Sequence, residues 1–269
     1  MVNYHEWSKI HPDELQSRVY ESFIDAAALK VFDIYRAFCY FNTSLELYST
    51  DNLGDYKIPD KEVRLFIKGM FVFNALFYIN VCRDYMWQML YCFCQYDSEE
   101  AYDHKKLEEI FEKEDLQNTL NELLKKLLNL ATGTAKNAIS QIIKVKSRIE
   151  NNYANEYKIT EKCNYIKHRG MYKIIGLDIN DKTAFEQLGI KVRIDLFDQG
   201  QIECDPKRLM YKEEINVEEI YKQLIDFKKK FIEDFDELIR LVIPNNYIHQ
   251  NGDFQDIMRN FDIPDNFNI

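Results

Sequence analysis

One continuous apolar segment, residues 61–96, constrains the fold of this chain more than any other feature. It reads KEVRLFIKGMFVFNALFYINVCRDYMWQMLYCFCQY, and between Lys68 and Arg83 only two asparagines are clearly polar. A membrane-spanning helix needs about 20 consecutive apolar residues, and this stretch is shorter, contains two amides and ends in Arg83-Asp84. We therefore predict a central helix surrounded by other helices, and no association with a membrane.

The rest of the chain predicts further long helices, because Gly and Pro number only 8 and 5 and rarely interrupt the pattern. Apolar residues three or four apart indicate helices with one buried stripe. We expect a mainly α fold, a single helical domain over residues 1–243 followed by an irregular tail at 244–269. The helices are expected from about Pro12 or Asp13 to Leu47, at 98–130, at 135–152, across the residues before Gly170, and at 213–242.

A short region near residue 191 departs from this helical period. In KVRIDLFDQGQIECDP, apolar and polar residues alternate, and Gln199-Gly200 can form a turn. Strict alternation around a glycine-containing turn is typical of a β-hairpin. We predict one hairpin at about 191–204.

Charge and cysteine usage limit the class of protein. The net charge of −10 argues against a protein that simply coats nucleic acid, although it permits a small local basic site. Six cysteines include no C-x-x-C pair, and the chain opens without an apolar signal segment. These features favour reduced thiols in a cytoplasmic protein. Neither a cofactor motif nor a metal-ligand spacing is found, so we predict no cofactor and no metal.

One compact cationic cluster occurs in the stretch EKCNYIKHRGMY. Asn164 is followed by Lys167, His168 and Arg169, and then by Gly170. A structural interpretation is that this is a helix end, with glycine just past it and cations near the exposed carbonyls of the last turn. On that interpretation the cluster has no function beyond capping.

A functional interpretation uses the same geometry. Asn164 and His168 are four apart and share a helix face, which Tyr172 would extend if the helix continues. An imidazole transfers protons near neutral pH, and the neighbouring Lys167 and Arg169 can hold a phosphate. Such groups can catalyse RNA cleavage, in which the 2′-hydroxyl attacks the adjacent phosphate.

The charged pair in the apolar segment is the next candidate. Arg83 and Asp84 must pair, reach water or line a site, because burying them alone is costly. Asp84 shares a face with Gln88, and we predict that this face meets the His168 helix. Asp84 would then orient His168 or Lys167, and Arg83 would contact substrate; the alternative is a structural ion pair.

Long helices with an N-x-x-K-H-R-G stretch before a late helix resemble the HEPN (higher eukaryotes and prokaryotes nucleotide-binding) superfamily, over about residues 14–243. The usual signature of that family is an arginine, four to six residues, then a histidine; here Lys162 stands in the arginine position before His168. The resemblance implies a homodimer that cleaves RNA at two facing motifs. It also implies an antitoxin or another defence-system protein as partner.

The resemblance assigns roles to named residues and leaves a rival function open. His168 would be the general acid or base, and Lys162, Lys167 or Arg169 the phosphate ligand. Asn164 and Asp84 would be orienting residues. Lysine lacks the two-pronged grip of arginine on phosphate, which favours the rival. That rival is a non-catalytic module that dimerises, or binds a nucleotide or RNA, within a larger defence system.

Overall fold

The structure, a computed structural model, describes residues 22–50, 61–94, 116–177, 192–196, 200–204 and 213–243. Its helices are α1 (Ser22–Ser49), α2 (Lys61–Cys94), α3 (Leu116–Leu130), α4 (Gly133–Asn151), α5 (Ile159–Arg169) and α6 (Val217–Val242), with a π-helical turn at Asn152–Glu156. Its strands are β1 (Lys173–Ile174), β2 (Val192–Leu196), β3 (Gly200–Cys204) and β4 (Glu214–Ile215). The predicted mainly α fold with a small β-hairpin is confirmed. The tail at 244–269 lies outside the described residues.

The two pairs of strands differ in orientation and in how far apart their strands lie along the chain. β2 and β3 form the predicted antiparallel hairpin, with Val192 opposite Cys204 and Leu196 opposite Gly200. β1 and β4 form a parallel pair in which Lys173 is opposite Glu214. This second pair was not predicted, because two-residue strands carry no readable period. It brings the chain after α5 beside the chain before α6.

The apolar helix α2 is the centre of the fold along most of its length. α1, α3, α5 and α6 all contact it. Its buried residues begin at Gly69, and none of the first eight residues of the helix is buried. The prediction of a surrounded helix therefore holds for most of α2 from Gly69 onward, although Met70, Asn74 and Phe77 are exposed, and it is wrong before Gly69. Among the described helices, α2 alone is long and apolar enough to cross a membrane.

The amphipathic helix α6 closes the other side of the core. Phe227, Phe231 and Phe235 lie on its buried face, and the ring of Phe231 stacks on Phe38 of α1 at 5.3 Å between centroids. The helix begins at Val217, not at 213 as predicted. The Asn216 side chain accepts hydrogen bonds from the first free N–H groups of the helix, which fixes its start.

A strained junction separates α4 from α5. The π-helical turn follows α4 directly, and the buried Asn152 in that turn donates to Asp234 of α6 at 2.9 Å. Lys158, immediately before α5, has φ +52°, a left-handed conformation that non-glycine residues adopt rarely. The two features break the helical continuity, so that α5 runs as a separate helix across α2.

A close approach holds the segment after α5 against α2. Ile174 of β1 packs onto Gly69, where a Cβ atom would lie 2.2 Å from the Ile174 Cδ1. Only a residue without a side chain leaves room for Ile174 in its present position. The chain between α5 and β1 is thereby fixed beside the face of α2 that carries Phe73.

Candidate functional site

An open cleft of about 630 Å³ lies beside α5. This volume is within the usual range for small-molecule sites. Residues from the π-helical turn, α5, the segment after α5 and the approach to β4 line the cleft: Ala154, Thr160, Glu161, Asn164, Tyr165, His168, Tyr172 and Glu213. The structure thus brings two of the predicted site residues, Asn164 and His168, to one cavity.

One face of α5 supplies the polar wall. Glu161, Asn164 and His168 are spaced by three and four residues and are all exposed on the cleft. Within the described residues, neither the Asn164 side chain nor the His168 side chain makes a hydrogen bond or ion pair. The sequence analysis missed Glu161 as a site residue, although the same spacing that joins Asn164 to His168 carries the signal.

The end of α5 agrees with the structural interpretation of the motif, in which a glycine lies just past the last helical turn. Gly170 directly after α5 has φ +92°, a conformation that favours glycine, and the helix stops there. Tyr172 therefore reaches the cleft from the extended chain after α5 rather than from an added helical turn. The motif is both a helix end and part of a cavity, so the two interpretations are compatible.

Two tyrosines form the buried part of the cleft. The rings of Tyr165 and Tyr172 stack with centroids 4.1 Å apart, and Tyr172 also stacks on Phe73 of α2 at 6.3 Å. Tyr172 is only 7% exposed, and its hydroxyl has no hydrogen-bond partner within the described residues. Burial, and then the negative charge of Glu213, raises the pKa of the Tyr172 hydroxyl, so it stays protonated and able to donate.

Glu213, just before β4, also lines the cleft. Its carbonyl accepts the Lys173 N–H at 3.0 Å, and its own N–H donates to the Tyr165 hydroxyl at 2.7 Å. The side chain is exposed and lines the cleft. The sequence analysis assigned residue 213 to a helix and missed this role, because the parallel β1–β4 pair depends on contacts between distant segments.

Lys162 lies away from the cleft. Its Nζ donates to the Tyr157 carbonyl at 2.6 Å and lies 3.4 Å from the Gln223 side-chain oxygen of α6. Burial lowers the pKa of this ammonium group. The residue that stands in the signature arginine position is thus engaged with the protein, and it is not among the described residues that line the cleft.

Arg83 and Asp84 form a clamp between α2 and α5. The Arg83 Nη2 donates to the Asp84 Oδ1 at 2.8 Å, and its Nη1 donates to the Thr160 hydroxyl at 2.5 Å. Asp84 is also 3.4 Å from the Asn80 amide nitrogen. Within the described residues, Asp84 makes no hydrogen bond or ion pair to His168 or Lys167. The clamp instead fixes Thr160, a residue of the cleft wall.

The inner face of α5 is tied to the same part of α2. The Cys163 thiol donates to the Leu76 carbonyl at 3.0 Å. Burial raises the pKa of this thiol to about 12, although the nearby Lys167 opposes the shift. Since the thiolate is the reactive form, Cys163 is a packing residue and not a nucleophile.

Lys167 is not among the described residues that line the cleft. Lys167 is exposed and forms no hydrogen bond or ion pair with the residues that the structure describes. Arg169 ends α5, and its side chain lies outside the described part. None of the described lining residues is Lys or Arg, whereas Glu161 and Glu213 are both acidic. The described part of the cleft is therefore negative, with Lys167 next to it along the chain.

Within the described ranges, no three His, Cys, Asp or Glu side chains converge as a metal site requires.

Comparison with family models, curated proteins and solved structures finds no match to this chain.

Proposed function

We propose that the cleft around His168 acts on RNA, as the site of a HEPN-like endoribonuclease that needs no metal ion. One observation carries the proposal: an imidazole and a carboxylate, His168 and Glu161, face the same cavity with an amide between them. Cleavage by the 2′-hydroxyl needs a base to take one proton and an acid to give another. Glu161 and His168 on one wall of the cavity form such a pair.

The proposed reaction is an internal transfer of the phosphate. Glu161 accepts the proton of the 2′-hydroxyl, and the 2′-oxygen forms a bond to the adjacent phosphorus. The bond from phosphorus to the 5′-oxygen breaks, and the protonated His168 donates a proton to that leaving oxygen. The products are a 2′,3′-cyclic phosphate and a free 5′-hydroxyl, and Asn164 is available to donate a hydrogen bond to the phosphate.

Phosphate contacts are assigned to the edge of the cleft. Two carboxylates within the cavity repel a phosphate, whereas Lys167 is exposed and precedes His168 directly. The scissile phosphate would lie beside Asn164, between His168 and Glu161, and a neighbouring phosphate would contact Lys167 at the edge of the cleft. Arg83 is held by Asp84 and Thr160, which supports a positioning role for it rather than substrate contact.

The experiment uses a short RNA and the same RNA with one 2′-deoxy nucleotide at the cleaved position. We expect cleavage of the first in the presence of a chelator, with cyclic phosphate ends, and none of the second at that position. Cleavage at the 2′-deoxy position would contradict attack by the 2′-oxygen. Cleavage abolished by the chelator and restored by magnesium would contradict the metal-independent mechanism.

The second candidate is a module that binds RNA or a nucleotide without cleaving it. Lys162, the residue in the arginine position of the signature, is bonded to Tyr157 and turned from the cleft, and this observation favours the rival. Retention of RNA on the protein, without products and dependent on Lys167, would establish binding alone. A protein with neither binding nor cleavage would contradict both candidates.

Assembly is part of the same proposal. One cleft offers little positive charge to a polyanion, so we propose a homodimer in which the two His168 regions face each other. Three exposed apolar residues, Met70 and Phe77 of α2 and Met171 after α5, support a protein contact on these elements. Light scattering that finds only monomer over a broad concentration range would contradict it. An antitoxin or another defence protein remains a proposed partner.

A further inference from the structure

One part of the cleft has a different chemical character from the wall formed by Glu161, Asn164 and His168. It consists of the Glu213 carboxylate and the Tyr165–Tyr172 pair, and none of these residues is needed for the proposed proton transfers. A carboxylate accepts hydrogen bonds and repels phosphate. This half of the cleft is therefore suited to a group that carries N–H donors.

Tyr172 independently indicates a ligand. The residue is more than nine-tenths buried and lines the cleft, and its hydroxyl has no partner within the described residues. The fully buried unpaired side-chain atoms of the described residues do not include this hydroxyl, so it opens into the cleft, where a ligand can reach it. Glu213 lines the same cleft, and its N–H donates to the hydroxyl of Tyr165, the ring on which Tyr172 stacks. A bound group that pairs with both side chains would satisfy the hydroxyl.

We infer that the Glu213–Tyr172 half of the cleft reads a nucleobase, and that it selects guanine. This inference rests on the proposed action on RNA and names the base beside the reacting phosphate. Guanine presents two adjacent donors, N1–H and the 2-amino group, which match the two oxygens of one carboxylate. Its 6-oxo group is an acceptor for a hydroxyl such as that of Tyr172.

The other bases fit this arrangement less well. Adenine turns an unprotonated N1 toward the carboxylate, and uracil offers a single N–H. Hypoxanthine keeps N1–H but lacks the 2-amino group, so it should rank between guanine and adenine. A good bidentate contact to a base discriminates by about tenfold or more.

The test measures the binding of 5′-GMP, 5′-IMP and 5′-AMP to the full chain by calorimetry, without any RNA cleavage. We expect GMP to bind about tenfold or more tightly than AMP, with IMP between them. Glu213→Gln should bring the three dissociation constants close together. Glu214→Gln is the matched control, since the neighbouring Glu214 pairs with Lys173 and does not line the cleft.

The outcomes separate this inference from the proposed function. Equal affinity for GMP and AMP, or a GMP preference that survives Glu213→Gln, would overturn guanine selection. So would failure of all three nucleotides to bind while arginine amide binds, since the cleft would then take a cation. If RNA is still cleaved with dependence on His168 in any of these cases, only the guanine assignment fails.

Discussion

Two polar regions of this protein contrast in how their side chains are satisfied. Between α4 and α6, Arg148 donates to Asp234 at 2.5 Å and to Glu237 at 2.6 Å, and Asn152 donates to the other Asp234 oxygen. In the cleft, His168 and Asn164 have no such partner within the described residues. The polar groups of the first region pair with one another, whereas those of the second region are available to a ligand.

The contrast distinguishes structural charge from functional charge. A buried carboxylate such as Asp234 is tolerated because its oxygens are paired, and losing a partner there costs stability. Exposed, unpaired groups such as His168 and Lys167 contribute little to stability and can be removed at low cost. Substitutions in the first region should change the free energy of unfolding, and substitutions in the second should change activity.

The largest effect is expected for Asp234→Ala. It leaves Arg148 and Asn152 without their shared acceptor, and we expect a loss of about 3 kcal/mol in the free energy of unfolding. That is the low end for a broken buried pair, because Arg148 remains about half exposed. Urea denaturation measures it. Glu237→Ala, which removes only an exposed partner of Arg148, is the control and should cost less than about 1 kcal/mol.

Lys167→Ala should have a smaller effect, which concerns RNA binding and not the stability of the fold. If Lys167 contacts one phosphate at the edge of the cleft, the variant should bind RNA more weakly, and the salt dependence of binding should fall by about one unit of slope. Fluorescence anisotropy at several salt concentrations measures both. An unchanged slope would remove Lys167 from the phosphate contacts, and the unfolding midpoint should match that of the wild type.

A pH effect smaller still is expected at the contact between α1 and α6. The Tyr48 hydroxyl donates to Glu218 at 2.6 Å, and this bond lowers the pKa of the Glu218 carboxyl below its ordinary value of 4.5. A carboxyl with a lowered pKa in the folded state stabilises the fold above the unfolded-state pKa and loses that contribution as the pH falls. Because Glu218 is half exposed, the contribution is below about 1 kcal/mol.

Tyr48→Phe tests this contact. The variant should be less stable than the wild type at pH 7, and the difference should shrink as the pH falls below about 4.5 and toward the lowered pKa of Glu218. Urea denaturation at a series of pH values measures the difference. A gap that stays constant with pH would mean that the hydroxyl stabilises the fold by packing and not through the Glu218 charge.

The smallest effect is expected for Lys162→Arg. Since the Lys162 ammonium is bonded to the Tyr157 carbonyl and lies off the cleft, neither arginine nor methionine at this position should change RNA cleavage by more than about twofold. Initial rates at saturating RNA measure it. A clear gain with arginine would show that Lys162 acts as a weakened signature residue and reaches the substrate.

Much of the fold followed from local pattern. The apolar stretch predicted α2, and the alternation around Gly200 predicted the β2–β3 hairpin, because each depends on neighbouring residues. The start of α6 was wrong by four residues, although Asn216 followed three residues later by Glu219 is a recognisable cap. The β1–β4 pair could not be predicted, since it joins segments about 40 residues apart.

The site was predictable only in part, because some of its residues meet through contacts between distant segments. Helical spacing placed Asn164 and His168 on one wall and could have added Glu161. Tyr172 and Glu213 join that wall through the helix end at Gly170 and the β1–β4 pair, which are tertiary features. The acidic character of the cleft therefore became visible only in three dimensions.

The most direct test of the account is His168→Ala, measured for RNA cleavage under single-turnover conditions and for urea unfolding on the same preparation. We expect cleavage to slow by about 10²–10⁴-fold. The free energy of unfolding should change by less than about 0.5 kcal/mol, since His168 is exposed and makes no hydrogen bond or ion pair within the described residues. Equal cleavage by the wild type and the variant would contradict the assignment of this cleft as a catalytic site.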